Sequence, residues 1–160
     1  VISPGLRTAF VHCPSAAHAE AMTAALRATR LMGHPLVSAL ASQLLLDGSA
    51  QSLLAQVRSE ARERVRMARY LLAPSLLQRA EGLHAWCRIP APWTGATLVR
   101  TAQLQGLAIA PSSAFCPPGV QHQNGVRLSL GLAADRRQLE GALRRIDRLL
   151  LSDALPAIDR

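Results

Sequence analysis

The feature that most constrains the fold is a long stretch of helical periodicity over residues 50–73. Gly48 follows Asp47 and suits the residue just past the end of a preceding helix, while Ser49 suits an N-cap. Pro74 ends the pattern, because proline cannot continue a helix. The pattern therefore predicts one long helix. Its apolar stripe consists of Leu53, Leu54, Val57, Ala61, Val65, Ala68 and Leu72.

The segments before this helix predict the end of an α/β layer. Residues 8–12 form a short apolar run before Pro14, which predicts a buried strand. Ser15 suits the N-cap of a helix over about 16–31. Pro35 suits the first turn of a helix over about 35–46.

The segments after the helix predict a small α+β layer. Strands are predicted at about 83–89, 107–110 and 126–130, while 75–81 is ambiguous. Helices are predicted at about 95–105 and 136–151, with Thr94 and Asp135 as their caps. Both helices should cover one side of the sheet. The inner face of the last helix consists of Leu139, Leu143, Ile146 and Leu150.

Composition excludes several classes of function. The net charge of +8 comes from 18 basic residues, all arginine, but only 3% of residues are aromatic, which argues against a base-stacking nucleic-acid surface. A stand-alone Arg-rich binding module is the least favoured interpretation. We expect the Arg-rich run to be a solvated or dimer-facing surface. That run consists of Arg58, Arg62, Arg64, Arg66 and Arg69.

Other residue types point to a cytoplasmic protein without a metal. Cys13, Cys87 and Cys116 are odd in number and widely spaced, which predicts reduced thiols. The five histidines lack metal-ligand spacing, so we expect no metal site. No apolar run reaches the length of a membrane span, so no membrane partner is expected. No nucleophile motif is present, and we assign no catalytic residue.

Two arginines are candidates for anion binding. Arg7 follows a Pro-Gly turn and precedes a predicted strand, where its guanidinium could bind a phosphate or pair with a carboxylate. Arg127 lies in an apolar strand behind a flexible loop. Burial of its charge requires an anion. That anion could be a ligand carboxylate or a structural Asp or Glu.

Four motifs resemble fold-type I pyridoxal-phosphate (PLP) enzymes, most closely the aminotransferase-like domain of the MocR group of GntR-type transcriptional regulators. The segment Ser3-Pro4-Gly5-Leu6-Arg7 resembles the one that follows the family's cofactor lysine. Residues 82–86 resemble its Gly-hydrophobic-His-hydrophobic-aromatic strand. Residues 106–115 resemble its Gly-Val-x-Val-x-Pro-Gly-x-x-Phe segment, with Ser112 in place of the usual glycine. Residues 124–131 resemble the strand whose arginine binds the substrate carboxylate.

The resemblance implies an α/β fold with an α+β C-terminal subdomain, the C-terminal half of an aspartate aminotransferase-like PLP-dependent transferase. Residues 1–73 would end the PLP-binding large domain and include a long interdomain helix, while 74–160 would form the C-terminal small domain. Arg7 would bind the cofactor phosphate and Arg127 the carboxylate of an amino-acid-like ligand at the domain junction. The imine-forming lysine would fall just before Val1, so this chain alone should be catalytically inactive.

Two functions of the whole protein stay open. In a GntR/MocR-type regulator, this domain would sense an effector, and DNA would be bound only through an upstream domain outside this chain. The alternative is a free-standing class I/II aminotransferase. The stretch 33–69 looks more like the regulator group. A homodimer is expected in either case.

Overall fold

The computed structural model describes residue 6 and residues 8–30, 33–117, 119–120 and 123–152. Its contacts divide the chain into two compact units, Val1–Val57 and Arg58–Arg160. The predicted division into large and small domains at residues 73 and 74 stays a prediction. The two units are described separately below.

The first unit is helical. It contains α1 (Ala16–Arg30), α2 (Pro35–Leu46) and the first turns of α3 (Ser49–Leu71). The hydroxyl of Ser15 accepts a hydrogen bond from the backbone N–H of His18 at 3.3 Å, as expected of a cap. Gly48 has φ of 79°, a left-handed conformation that glycine adopts without strain. The carboxylate of Asp47 accepts from the N–H of Ser49 at 2.8 Å, so the side chain that caps α3 is Asp47 rather than Ser49.

The second unit is built on an antiparallel four-stranded sheet in the order β1-β2-β4-β3. The strands are β1 (Leu77–Glu81), β2 (His84–Arg88), β3 (Ala110–Pro111) and β4 (Gly125–Ser129). Two helices complete the unit, α4 (Gly95–Leu104) and α5 (Arg136–Leu151). The bounds of α5 match the prediction.

Helices α4 and α5 bury one face of this sheet. The hydroxyl of Thr94 accepts from the N–H of Thr97, and the Thr97 hydroxyl accepts from the N–H of Thr94, so α4 has a reciprocal cap. Asp135 caps α5 by accepting from the N–H of Gln138 at 2.7 Å. The core beneath the sheet includes Ala85, Cys87, Val126, Leu128, Leu98, Leu139, Leu143, Ile146 and Leu150.

Two strand predictions need correction, and one ambiguous segment is resolved. Residues 8–13 contain no strand, and Phe10 and Val11 are 71% and 66% exposed. The described part of the first unit offers no other strand to pair with them. The predicted strand 107–110 is reduced to Ala110–Pro111, since only these residues pair with β4. The ambiguous segment 75–81 contains β1, an edge strand with one buried residue.

Arg64 is not part of a solvated surface, which corrects the interpretation of the Arg-rich run. Its side chain is buried, and its guanidinium donates to the carbonyl oxygens of Leu130 at 2.7 Å and Ala133 at 2.8 Å. It also donates to Glu60 at 2.7 Å, and Glu60 in turn pairs with Arg136 at 2.6 Å. These two arginines hold the pKa of the Glu60 carboxyl down to about 2. Arg64 therefore fastens α3 to the turn that follows β4.

Within the described ranges, no helix is long and apolar enough to cross a membrane. The same ranges contain no group of three or more His, Cys, Asp or Glu side chains able to hold a metal ion. Cys13, Cys87 and Cys116 are free thiols.

Candidate functional site

The sheet of the second unit has one face that the helices do not cover. Side chains of a strand point alternately to its two faces. Because Ala85, Cys87, Val126 and Leu128 point into the core, their neighbours point the other way. This open face carries His84, Trp86, Arg88, Arg127 and Ser129. It therefore combines an aromatic surface with cationic and polar groups.

Arg127 lies at the centre of the open face. In the sheet it stands opposite Trp86 of β2 and Ala110 of β3. The guanidinium carbon lies over the ring of Phe115, 4.2 Å from its centroid, within the range of a cation–π contact. The Nε atom is buried without a hydrogen-bond partner, and no carboxylate of the described residues pairs with this side chain. Since a buried guanidinium N–H without a partner is costly, an incoming anion would be stabilised here.

Phe115 is positioned by a short 3₁₀ helix, Ser112–Phe115, that follows β3. Its ring contacts Trp86 edge to face, with centroids 5.3 Å apart and planes at 74°. The hydroxyl of Ser112 donates to the carbonyl of Gln123 at 2.6 Å and accepts from the N–H of Gly125 at 3.3 Å. Ser112 thus ties the start of β4 to the helix that carries Phe115. Ser112 therefore has a structural role here.

Asn124 fixes the point where β4 begins. Its side-chain amide donates to the backbone carbonyl of Trp93 at 2.9 Å and of Ile89 at 3.4 Å. The backbone carbonyl of Asn124 accepts from the N–H of Ile89 at 3.0 Å. Gly125 follows in a tight position, where an added Cβ would lie 3.2 Å from the carbonyl oxygen of Cys87. These contacts position Arg127 in the sheet.

His84 is an exposed neighbour of Arg127 on the open face. It stands opposite Ser129, which places it diagonally across from Arg127. Partial desolvation of the imidazole first, and then the positive charge of Arg127, lowers its pKa from the usual 6.5. His84 is therefore mainly neutral at pH 7 when Arg127 has no anion beside it.

A cavity of about 640 Å³ opens elsewhere, beside α5 and the end of β4. Leu107, Ile109, Leu130 and Leu143 are among its lining residues, and Arg127 is not. Its volume makes it an alternative location for a ligand. We place the candidate site on the open face instead, because that face holds the unpartnered cationic donor.

The two predicted site residues have different outcomes. Arg127 lies in a strand, as expected, but its binding role stays a prediction. Arg7 lies outside the described residues, so its predicted role at a phosphate also stays a prediction. Sequence reasoning did not assign Phe115 or His84 to the site. One signal in the sequence could have identified His84. Side chains two residues apart in a strand point to the same face, so His84 lies on the face that carries Trp86.

Solved structures show which fold this is. The α-aminoadipate aminotransferase LysN of Thermus thermophilus, complexed with N-(5'-phosphopyridoxyl)-L-leucine, matches with a TM-score of 0.74 and 25% identity over 92% of this chain. The kynurenine aminotransferase of Pyrococcus horikoshii, in complex with PMP, matches with a TM-score of 0.70 and 16% identity over 84% of it. The multiple substrate aminotransferase of Thermococcus profundus matches with a TM-score of 0.68 and 16% identity over 82%.

The chain spans 38% of the length of the Thermus protein and 34% of each of the other two. No protein-family model matches the sequence. No curated protein matches it either. The chain therefore has an aminotransferase-like fold that corresponds to about a third of such a protein.

Proposed function

We propose that this chain is the C-terminal part of a PLP-binding aminotransferase-like domain and that Arg127 binds the carboxylate of its amino-acid-like ligand. The observation that carries this proposal is the buried, unpartnered Nε of Arg127 on an open face. The guanidinium carbon lies over the Phe115 ring, and a guanidinium has two parallel N–H donors that match the two oxygens of a carboxylate. The fold similarity supports the domain type.

The residues of this chain fit the ligand better than they fit the cofactor. PLP provides an electron sink when an amine is joined to it, and it needs an imine-forming lysine. The chain contains no lysine, so that residue must come from outside residues 1–160. Arg7 is the proposed phosphate ligand. The role of the open face is thus to bind and orient the carboxylate end of the ligand beside the cofactor.

For the whole protein we favour a GntR/MocR-type regulator, in which this domain senses an effector. Support comes from the resemblance of residues 33–69 to that group. A free-standing aminotransferase is the second candidate, and its support is the fold similarity to three aminotransferases, one of them 25% identical. Two assays separate the candidates. A regulator should shift promoter DNA in an effector-dependent way and show no turnover, whereas an enzyme should transaminate and leave DNA unbound.

The carboxylate clamp is tested by Arg127→Gln in the intact protein that carries this chain. Loss of a charge-assisted, bidentate contact should weaken an amino-acid ligand roughly ten- to a hundredfold, as expected for about 1.5–3 kcal/mol. PLP absorbance should be unchanged, because Arg127 is not proposed to touch the cofactor. Titration calorimetry measures the first effect and visible spectroscopy the second.

Two further variants make the result specific. Arg127→Lys should restore only part of the affinity, since an ammonium lacks the planar fork of donors. Arg100→Gln removes an exposed arginine of α4 and should change nothing. If Arg127→Gln binds the ligand as tightly as the wild type, Arg127 is a structural residue and the proposed function loses its main support.

A further inference from the structure

The starting observation is the position of His84 relative to Arg127. His84 is exposed, and its imidazole has no hydrogen-bond partner among the described residues. Diagonal neighbours on one face of an antiparallel pair stand about 7–8 Å apart. Long side chains can converge across that distance, so one small ligand can contact both side chains.

No carboxylate of the described residues pairs with the imidazole of His84. Glu81 of β1 stands opposite His84, but its carboxylate is engaged by Arg79 at 2.7 Å. The other charged groups on this face are Arg88 on the same strand and Arg127 on β4. The surroundings of His84 are therefore positive, and they favour an anion that comes from outside.

We propose that His84 and Arg127 together form a two-point anion site, so that this face selects ligands with two acidic groups over ligands with one. The proposal rests on the proposed function, because Arg127 is taken to hold the first carboxylate. His84 is then a specificity-determining residue that donates to the second acidic group. Trp86 stands opposite Arg127 and two residues from His84 on the same face, and it would contact the carbon chain of the ligand.

The electrostatics of the face make this selectivity depend on pH. The pKa of His84 is lowered by partial desolvation and by the charge of Arg127, so the ring is mainly neutral in the ligand-free protein at pH 7. An anion on Arg127 offsets part of that repulsion, and a second acidic group beside the ring favours its protonated form. A diacid should therefore bind with uptake of up to one proton, and its affinity should rise as the pH falls.

The test uses glutarate and its monoamide, glutaramate, as probes with the intact protein. The two have the same length, and neither has an amino group that could react with the cofactor. Calorimetry at about pH 8 and about pH 6 should show glutarate preferred by roughly threefold at the higher pH and by roughly tenfold or more at the lower. Titration in buffers of different ionisation enthalpy should show proton uptake with glutarate alone.

The variant His84→Gln should bind both acids with a preference that no longer changes between these pH values. His12→Gln removes another exposed histidine and should behave as the wild type. Equal binding of the two acids by the wild type, or a pH-dependent preference that persists in His84→Gln, overturns the two-point site. If Arg127→Gln binds glutaramate as tightly as the wild type, the proposed function itself fails. If neither acid binds, both proposals are wrong.

Discussion

Replacement of Arg64 by methionine should destabilise the second unit considerably, although the ion pair that Arg64 makes is a minor part of the effect. Methionine keeps most of the apolar stem, so packing changes little. The substitution removes the donors to the carbonyl oxygens of Leu130 and Ala133. The buried carbonyl oxygen of Leu130 then has lost the hydrogen bond from Arg64. The turn after β4 then loses its connection to α3.

The magnitude follows from the two carbonyl groups. A buried acceptor left without a donor costs about 1–3 kcal/mol, and the partly buried carbonyl of Ala133 lies at the low end of that range. Their sum is about 3 kcal/mol. The pairing with Glu60 adds about 0.5 kcal/mol, since that carboxylate is 37% exposed and keeps Arg136 as a partner.

Urea denaturation of the wild type, Arg64→Met, Glu60→Gln and the double variant tests this partition. We expect Arg64→Met to cost about 3 kcal/mol both in the wild-type background and in the Glu60→Gln background, with a coupling energy under about 1 kcal/mol. Arg64→Lys should recover less than half, because a single ammonium cannot reach both carbonyls and the carboxylate. If the cost of Arg64→Met disappears in the Glu60→Gln background, the ion pair stabilises this region and the carbonyl argument is wrong.

Two further predictions follow from shifted pKa values. The pKa of Glu60 falls from 4.5 to about 2 in the folded state, so its stabilisation is complete above pH 4.5 and is lost as the pH falls towards 2. Acid titration of stability should therefore show wild type and Glu60→Gln differing by about 1 kcal/mol at neutral pH, after allowance for solvent screening, and converging near pH 2; a constant difference would contradict this. Burial, followed by the charge of Asp147, raises the pKa of the Cys87 thiol to about 12, so iodoacetamide at about pH 8 should label Cys13 and Cys116 well before Cys87. Mass spectrometry measures this, and equal labelling rates in the native protein would show that Cys87 is accessible.

An element was predicted well when the residues that determine it lie within the element itself, and poorly when it depends on a partner elsewhere in the chain. Helix α5 has a cap, Asp135, and apolar residues at helical spacing, and its bounds were predicted correctly. Strand β1 has no alternation of apolar and polar residues, because it is an edge strand whose pairing is decided by β2. The run 8–12 has the apolar character of a strand, but a strand also needs a partner. Partners are set by tertiary structure and cannot be read from a short window.

The same distinction applies to the candidate site. Arg127 could be placed in a strand because its neighbours are apolar and β-branched or leucine. The stacking of Phe115 on its guanidinium could not be predicted, since the loop between them has no regular period. Arg64 was misjudged for a related reason. Its helical pattern resembles that of the exposed arginines beside it, and only the distant carbonyls of Leu130 and Ala133 distinguish it.

Asn124 fixes the start of β4, so the face to which a β4 side chain points depends on its distance in sequence from Asn124. Residues an odd number of positions after Asn124 point to the open face, and residues an even number of positions after it point into the core. Arg127 is the third residue after it and points to the open face, while Val126 and Leu128 point into the core. Loss of one residue between the anchor and Arg127 would turn the guanidinium into the apolar interior and turn an aliphatic side chain outward. Changes of length before Asn124 leave this parity untouched. The length of the chain before Asn124 can thus change without moving Arg127 to the other face, whereas the first residues of β4 can change only by substitution or in steps of two.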